Sequence, residues 1–204
     1  MFGPDMIFGI PGLLIAMTVH EYAHARIAVA LGDPTPKFEG RLTLNPLAHL
    51  DPIGLLMLFF AQFGWAKPVM INPRNFSDRR HGELYVAIAG PAANLITAFV
   101  SLLLLNIIAV MGIQVQWVYL VIKLVMVFNL NFAIFNMIPL PPLDGSKVLM
   151  SFLPGKLAYQ YAGLERYSFF ILILLVFTNI LGVIIFPIRN VILNVMSFIL
   201  SFIF

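Results

Sequence analysis

The chain has 204 residues, 61% of them apolar and only 10% charged, with a mean hydropathy of +0.96. A soluble domain carries about 25% charged residues, and the net charge of +3 is too small and too scattered to neutralise a phosphate backbone. An ordinary soluble domain, a disordered chain and a nucleic-acid binder are excluded; an all-α polytopic membrane protein remains. With no Cys in the chain, any metal must be held by His and carboxylate.

The first apolar run, Ile7–Leu31, has no basic region before it and no A-x-A cleavage site, so it reads as a retained helix rather than a signal peptide. About 20 residues at 1.5 Å each cross a hydrocarbon core roughly 30 Å thick. Further spans are expected at Leu84–Met111, Val118–Ile138 and Ser168–Phe186, and Ile188–Phe204 is about long enough to cross as well. The run Ile53–Gly64 reaches only about 18 Å as a helix and is expected to dip in and return. Trp65–Phe76 contains Pro68 and Pro73 and cannot continue as a helix. The expectation is five to six transmembrane helices, with a short re-entrant segment and an extended stretch between the first two long ones. They form a single domain over residues 1–204, with a core at 7–150 and C-terminal helices at 156–204.

Charge placement gives the orientation. Nine of the twelve Lys/Arg fall in three connecting stretches: Lys37 and Arg41; Lys67, Arg74, Arg79 and Arg80; Lys147, Lys156 and Arg166. The positive-inside rule puts all three in the cytoplasm, which requires that Ile53–Gly64 does not cross. The uncharged connection Gly112–Trp117 is then extracytoplasmic, as is the N-terminus.

Ionisable groups inside an apolar span are costly and mark function by default, and the first helix holds His20, Glu21, His24 and Arg26. His20-Glu21-Tyr22-Ala23-His24 is an H-E-x-x-H pattern. At about 100° per residue the two imidazoles lie about 40° apart and one turn along, so both reach one metal. Glu21 falls to one side, placed to act as a base without ligating. A hydrolytic zinc site takes a third protein ligand, for which His49, His81, Asp33, Asp51, Glu83 and Asp144 are the candidates. Asp144 fits best. It follows a helix at its cytoplasmic end, where Pro139, Pro141 and Pro142 force an extended approach and Gly145 allows a tight turn. The alternative at this position is a proline-rich stop followed by a helix-capping Asp. His49 reads as structural unless Asp144 fails as a ligand.

These motifs resemble the site-2 protease family of intramembrane zinc metalloproteases. His20-Glu21-x-x-His24 in a first helix and Asn136-x-x-Pro139-x-x-x-x-Asp144-Gly145 after a later one carry the likeness. Gly90-Pro-Ala-Ala-Asn94, Arg41-Leu-Thr-Leu-Asn-Pro46 with His49-Leu-Asp-Pro52, and Gly64-Trp-Ala-Lys-Pro68 with Asn72-Pro-Arg-Asn-Phe76 add to it, in the right order over residues 20 to 145. The chain is most similar to small prokaryotic members without a PDZ domain. The resemblance implies zinc held by His20, His24 and Asp144, Glu21 as catalytic base, and Asn136 as a catalytic residue that polarises or holds the substrate backbone. Substrates would be transmembrane proteins in the cell membrane, cut at a site toward the cytoplasmic side, with homodimerisation left open.

Two further features bear on substrate. The Trp65–Phe76 stretch is either an extended edge that pairs with unwound substrate or an interfacial loop anchored by Trp65 and Lys67. Ala89 and Ala93 have the spacing of close helix packing, and Asn94 beside them is a candidate substrate-binding residue. The Phe-rich region Ser168–Phe204 is either lipid-facing scaffold or a gate for substrate access. A metal transporter and a non-catalytic homologue are the competing functions. The first is disfavoured because no second ionisable cluster marks a path outward.

Overall fold

The structure is a computed structural model, and it describes residues 4–54 and 66–204. The expected re-entrant run Ile53–Gly64 therefore lies largely outside the described residues. Among the described residues the protein is helical, with a single isolated antiparallel bridge, Leu50 to Ala66.

Helix α1 spans Pro4–Ala30, about 40 Å at 1.5 Å per residue. A short α2, Thr35–Phe38, follows directly. Residues 67–72 are non-helical and lead into a 3-10 turn at Pro73–Asn75, whose N-terminus is capped by the Asn72 side chain. This agrees with the proline-based reading of the stretch. Helix α3 spans Arg79–Val110 and starts earlier than hydropathy suggested, because Asp78 accepts from the His81 N–H and caps a polar first turn. Helix α4 spans Gln116–Asn136. It stops before the proline run, and after the irregular stretch 137–143 helix α5 begins at Asp144 and runs to Phe152. Helices α6, Gly155–Ala162, and α7, Glu165–Phe177, are bent by 58° at their junction; α8 spans Ile180–Leu200.

Helices α1, α3 and α4 pack against one another and form the body that carries the chemistry. Helix α8 covers the far half of α3 and α4, where Met196 joins Ala98, Leu105, Met126 and Leu130 in an apolar cluster. Nearer its start, Ile184, Ile188 and Ile192 face Ile134, Met137 and Ile138, so α8 runs antiparallel to α4. Among the described residues, α3, α4 and α8 are long and apolar enough to cross a membrane, and the bent pair α6–α7 would make a fourth span if taken as one unit.

The C-terminal region departs from the sequence expectation. Ser168–Phe186 is not one helix: it breaks at Thr178–Asn179, where Asn179 has φ 56°. Asn tolerates this left-handed conformation better than other non-glycine residues, and hydropathy does not register it. Pro187, which falls between the expected spans Ser168–Phe186 and Ile188–Phe204, lies inside α8. The Tyr161 hydroxyl donates to the Pro139 carbonyl, and the first turns of α8 also lie beside Pro139. The last turn of α6 and the first turns of α8 therefore both lie at the end of the bundle where α4 gives way to α5.

The left-handed residue is testable. A β-branched side chain in this region of φ and ψ costs about 1–2 kcal/mol, so Asn179→Val should lower the thermal unfolding midpoint in detergent while Asn179→Gly leaves it near the parent value. Equal midpoints for the two variants would show that the break does not depend on the conformation of this residue.

Candidate metal centre

One turn of α1 separates His20 and His24, and their Nε2 atoms lie 3.0 Å apart. Asp144, the first residue of α5, brings Oδ2 to 3.0 Å from His20 Nε2 and 3.1 Å from His24 Nε2. All three side chains are buried. The sequence candidates thus meet as one group whose ligand atoms lie within 4.8 Å of one another.

Each imidazole is fixed from behind. His24 Nδ1–H donates to the Val86 carbonyl at 2.7 Å, so in the neutral ring it is Nε2 that carries the lone pair. His20 Nδ1–H donates to Asn94 Oδ1 at 2.7 Å. The orientation of that amide is set in turn, because Asn94 Nδ2 donates to the Ala16 carbonyl and to Asn129 Oδ1, while Asn129 Nδ2 donates to the Val125 carbonyl. Backbone carbonyls only accept, so two of them dictate the direction of every bond in this chain of amides. In the neutral His20 ring the lone pair therefore also falls on Nε2.

The donor set fits a zinc ion. Two imidazole lone pairs and a carboxylate oxygen converge at about 3 Å, and Asp144 Oδ2 has no hydrogen-bond donor among the described residues. Protonating both Nε2 atoms would instead set two N–H groups against each other. Ligands about 2.0 Å from a tetrahedral Zn²⁺ stand about 3.3 Å apart, close to the spacing found here.

The backbone around the group is shaped to admit it. A Cβ on Gly90 in α3 would lie 2.6 Å from His20 Cε1 and from His24 Nε2, so only glycine lets α3 lie against both rings. Pro91 beside it lacks the N–H that would bond the Ala87 carbonyl, and the neighbouring Val86 carbonyl receives His24. Gly145 was expected to supply a tight turn. It is instead helical, and its requirement is one of space: a Cβ there would strike the carbonyl oxygens of Met137 and Ile138.

Glu21 and Asn136 face the same cavity of about 360 Å³, together with Val69, Phe132, Asp144 and Lys147. Glu21 is outside the ligand group, and its Oε2 accepts from the Val69 backbone N–H at 2.9 Å. Asn136 Nδ2 donates to the Phe132 carbonyl and keeps its second N–H. Asn94 is fully buried behind His20, with its polar atoms committed to His20, Ala16 and Asn129. The remaining ligand candidates are engaged elsewhere. His49 donates to the Thr43 carbonyl, and His81 pairs with Asp78. Asp51 caps Ile53 and Gly54, Glu83 pairs with Arg79, and Asp33 accepts from Thr35, Asn72 and Asn75.

Sequence reasoning missed Asn129, Val69 and Lys147 at this site. Asn129 had a visible signal, an amide inside an apolar helix, which hydrocarbon tolerates only with a partner. Val69 contributes through its backbone, which leaves no trace in residue type.

A helical membrane bundle carrying an H-E-x-x-H helix and a distant aspartate, closed around a zinc-type donor set, defines a membrane metalloprotease. A protein of Bacillus subtilis named "Putative zinc metalloprotease YwhC" is 37% identical over 187 residues, covering 87% of this chain and 84% of its own. The "Putative zinc metalloprotease Rip2" of Mycolicibacterium smegmatis is 30% identical over 182 residues, covering 86% of this chain and 69% of its own. The family model described as Peptidase family M50 matches residues 107–178, which include Asn136 and Asp144. The chain belongs to this family, the site-2 proteases, whose metal is zinc. No solved structure matches the chain.

The hydrogen bonds behind His20 give a direct test. Loss of an outer partner of a zinc histidine weakens binding by about 10–100-fold. Asn94→Ala should show that loss in a competition titration with a zinc chelator, while Asn136→Ala keeps the parent affinity. Unchanged affinity in Asn94→Ala would mean that His20 does not need its partner.

Proposed function

We propose that the protein is an intramembrane zinc endopeptidase that hydrolyses peptide bonds within or near the transmembrane segments of membrane-protein substrates. The observation that carries this reading is the convergence of His20, His24 and Asp144 beside Glu21 in a cavity walled by membrane-type helices. His20, His24 and Asp144 would hold the zinc, giving a site of net charge about +1. Bound there, zinc supplies a Lewis acid and a water acidified toward a pKa of about 7.

Glu21 is the proton carrier. Its Oε2 is held by Val69 N–H, which leaves Oε1 to take the proton of the attacking water and pass it to the leaving amine. The second N–H of Asn136 is placed to donate to the substrate carbonyl as negative charge develops on it. Phe132 and Phe135 wall the cavity.

A helical substrate shields its own peptide bonds and must unwind before attack. The extended stretch 69–71 is suited to receive it. Val69 and Ile71 line the cavity, Met70 is exposed, and among the described residues no hydrogen bond involves the backbone N–H of Met70 or Ile71. Such a free edge can pair with an unwound strand.

The cytoplasmic placement of the site rests on the basic stretches. Arg80 at the start of α3 donates to the Ser151 carbonyl at the end of α5, Arg41 donates to the Ala48 carbonyl, and the Lys67 backbone N–H donates to the adjoining His49 carbonyl, which draws the three stretches toward the end of the bundle that holds the metal group. The positive-inside rule makes that end cytoplasmic, and water reaches the site from there.

The discriminating variant is Glu21→Gln, which still accepts from Val69 but cannot carry a proton. Reconstituted in liposomes with a transmembrane reporter, the parent protein should cleave and Glu21→Gln should lose at least about 10³-fold in rate while keeping its zinc. Cleavage that survives in Glu21→Gln would contradict the reading. So would a parent protein that holds zinc, leaves every transmembrane reporter intact and moves metal across the bilayer.

A further inference from the structure

Asp33 lies just beyond α1 and takes no part in the metal group, yet its side chain is completely buried. Burial works against its charge, but the donors around it outweigh that penalty and hold its carboxyl below the usual carboxylate range. Oδ1 accepts from the Thr35 N–H at 3.1 Å, from the Thr35 hydroxyl at 2.6 Å and from Asn75 Nδ2 at 2.7 Å; Oδ2 accepts from the Asn72 N–H at 2.7 Å.

The two bonds to Thr35 are local and turn the chain into α2. The other two reach about forty positions along the sequence, to the far end of the extended stretch that borders the cavity. That stretch is held by its backbone at three points: Lys67 N–H on the His49 carbonyl, Val69 N–H on Glu21 Oε2, and Asn72 N–H on Asp33 Oδ2. The catalytic carboxylate thus sits between two anchors. The turn that carries Asp33 also packs closely on the stretch, since a Cβ on Gly32 would lie 3.3 Å from the Asn75 carbonyl oxygen.

All four partners of Asp33 are donors. A carboxylate, which only accepts, can satisfy them together; an amide of the same shape would turn an NH₂ toward one of them. Asp33 is therefore chosen for its charge state and not for its size.

We propose that Asp33 is a positioning residue for the proteolytic reaction. It clamps the 69–72 stretch so that Val69 holds Glu21 in register and residues 69–71 meet the substrate as an ordered edge. The inference rests on the endopeptidase reading above and adds the part of the protein that prepares its substrate site. Without the clamp the edge must be ordered at the moment of binding, so the loss falls mainly on substrate capture. The metal ligands stand on α1 and α5 and keep their geometry.

The test compares Asp33→Asn, Asn75→Ala and Thr35→Val in the liposome cleavage assay, with chelator competition for zinc and hydrogen exchange at Val69 and Asn72. Asp33→Asn should raise KM by about tenfold or more, as expected for lost hydrogen bonds to a charge, with a smaller fall in kcat and parent zinc affinity. The amides of Val69 and Asn72 should exchange faster. Asn75→Ala, which removes one of the two long-range bonds, should shift KM and exchange in the same direction by less, and it carries the test if Asp33→Asn does not fold. Thr35→Val cuts only the local hydroxyl bond and should leave KM within about twofold. Parent KM and parent exchange in both Asp33→Asn and Asn75→Ala would overturn the proposal, as would a loss of kcat or zinc with KM unchanged. Absence of Glu21-dependent cleavage in the parent protein would overturn the endopeptidase reading instead, and exchange at Val69 and Asn72 would still report whether the clamp exists.

Discussion

Three electron-rich atoms are held about 3 Å apart inside a membrane-type bundle, and among the described residues Asp144 Oδ2 has no hydrogen-bond donor, while Lys147 reaches only the other carboxylate oxygen. His20 Nε2, His24 Nε2 and Asp144 Oδ2 are each buried. The backbone and amide partners behind the two rings prevent either imidazole from escaping by exchanging its proton between nitrogens. A cation between the three atoms resolves the conflict, and much of the surrounding architecture is understood as holding it in place. Gly90 removes a side chain that would block α3, Asn94 and Asn129 fix one ring, Val86 fixes the other, and Gly145 lets α5 begin against the end of α4.

The site is assembled from distant parts of the chain with unequal freedom. The two histidines and Glu21 belong to one helix, so their relative positions follow from helical geometry alone. Asp144 is delivered by the proline-rich stretch after α4, and the cavity wall beside Glu21 comes from the 66–72 stretch. These two non-helical segments are where backbone groups are available for purposes other than holding a helix together. Irregular backbone at membrane depth is tolerated where it lines a cavity or is buried in protein, and both segments do so here. On the proposed function, helices would fix the metal and the irregular 66–72 stretch would receive the substrate.

How far this was legible from sequence depends on the kind of interaction. His20, Glu21 and His24 were legible because a helix turns a spacing of four into adjacency. Asp144 was legible because prolines and a glycine bracket it at the right end of a span. Asn94 was visible as a polar residue but its partner was not, since contact with His20 depends on how closely α3 approaches α1. The bond from Val69 to Glu21 could not be read from residue types at all, because a backbone N–H has no signature in side chains. The C-terminal helices were misread for a related reason. Ser168–Phe186 is apolar on both sides of Asn179, so hydropathy runs through a break that only the local backbone conformation creates, while α8 continues across the expected boundary between Phe186 and Ile188.

The central claim is that His20, His24 and Asp144 together hold one zinc ion. Metal content per chain in detergent-purified protein, for the parent sequence and for Asp144→Ala, tests it most directly. The account expects one zinc per chain in the parent and loss or sharp weakening of it in the variant. Zinc held as tightly by Asp144→Ala, or no metal in a parent protein prepared without chelators, would contradict it.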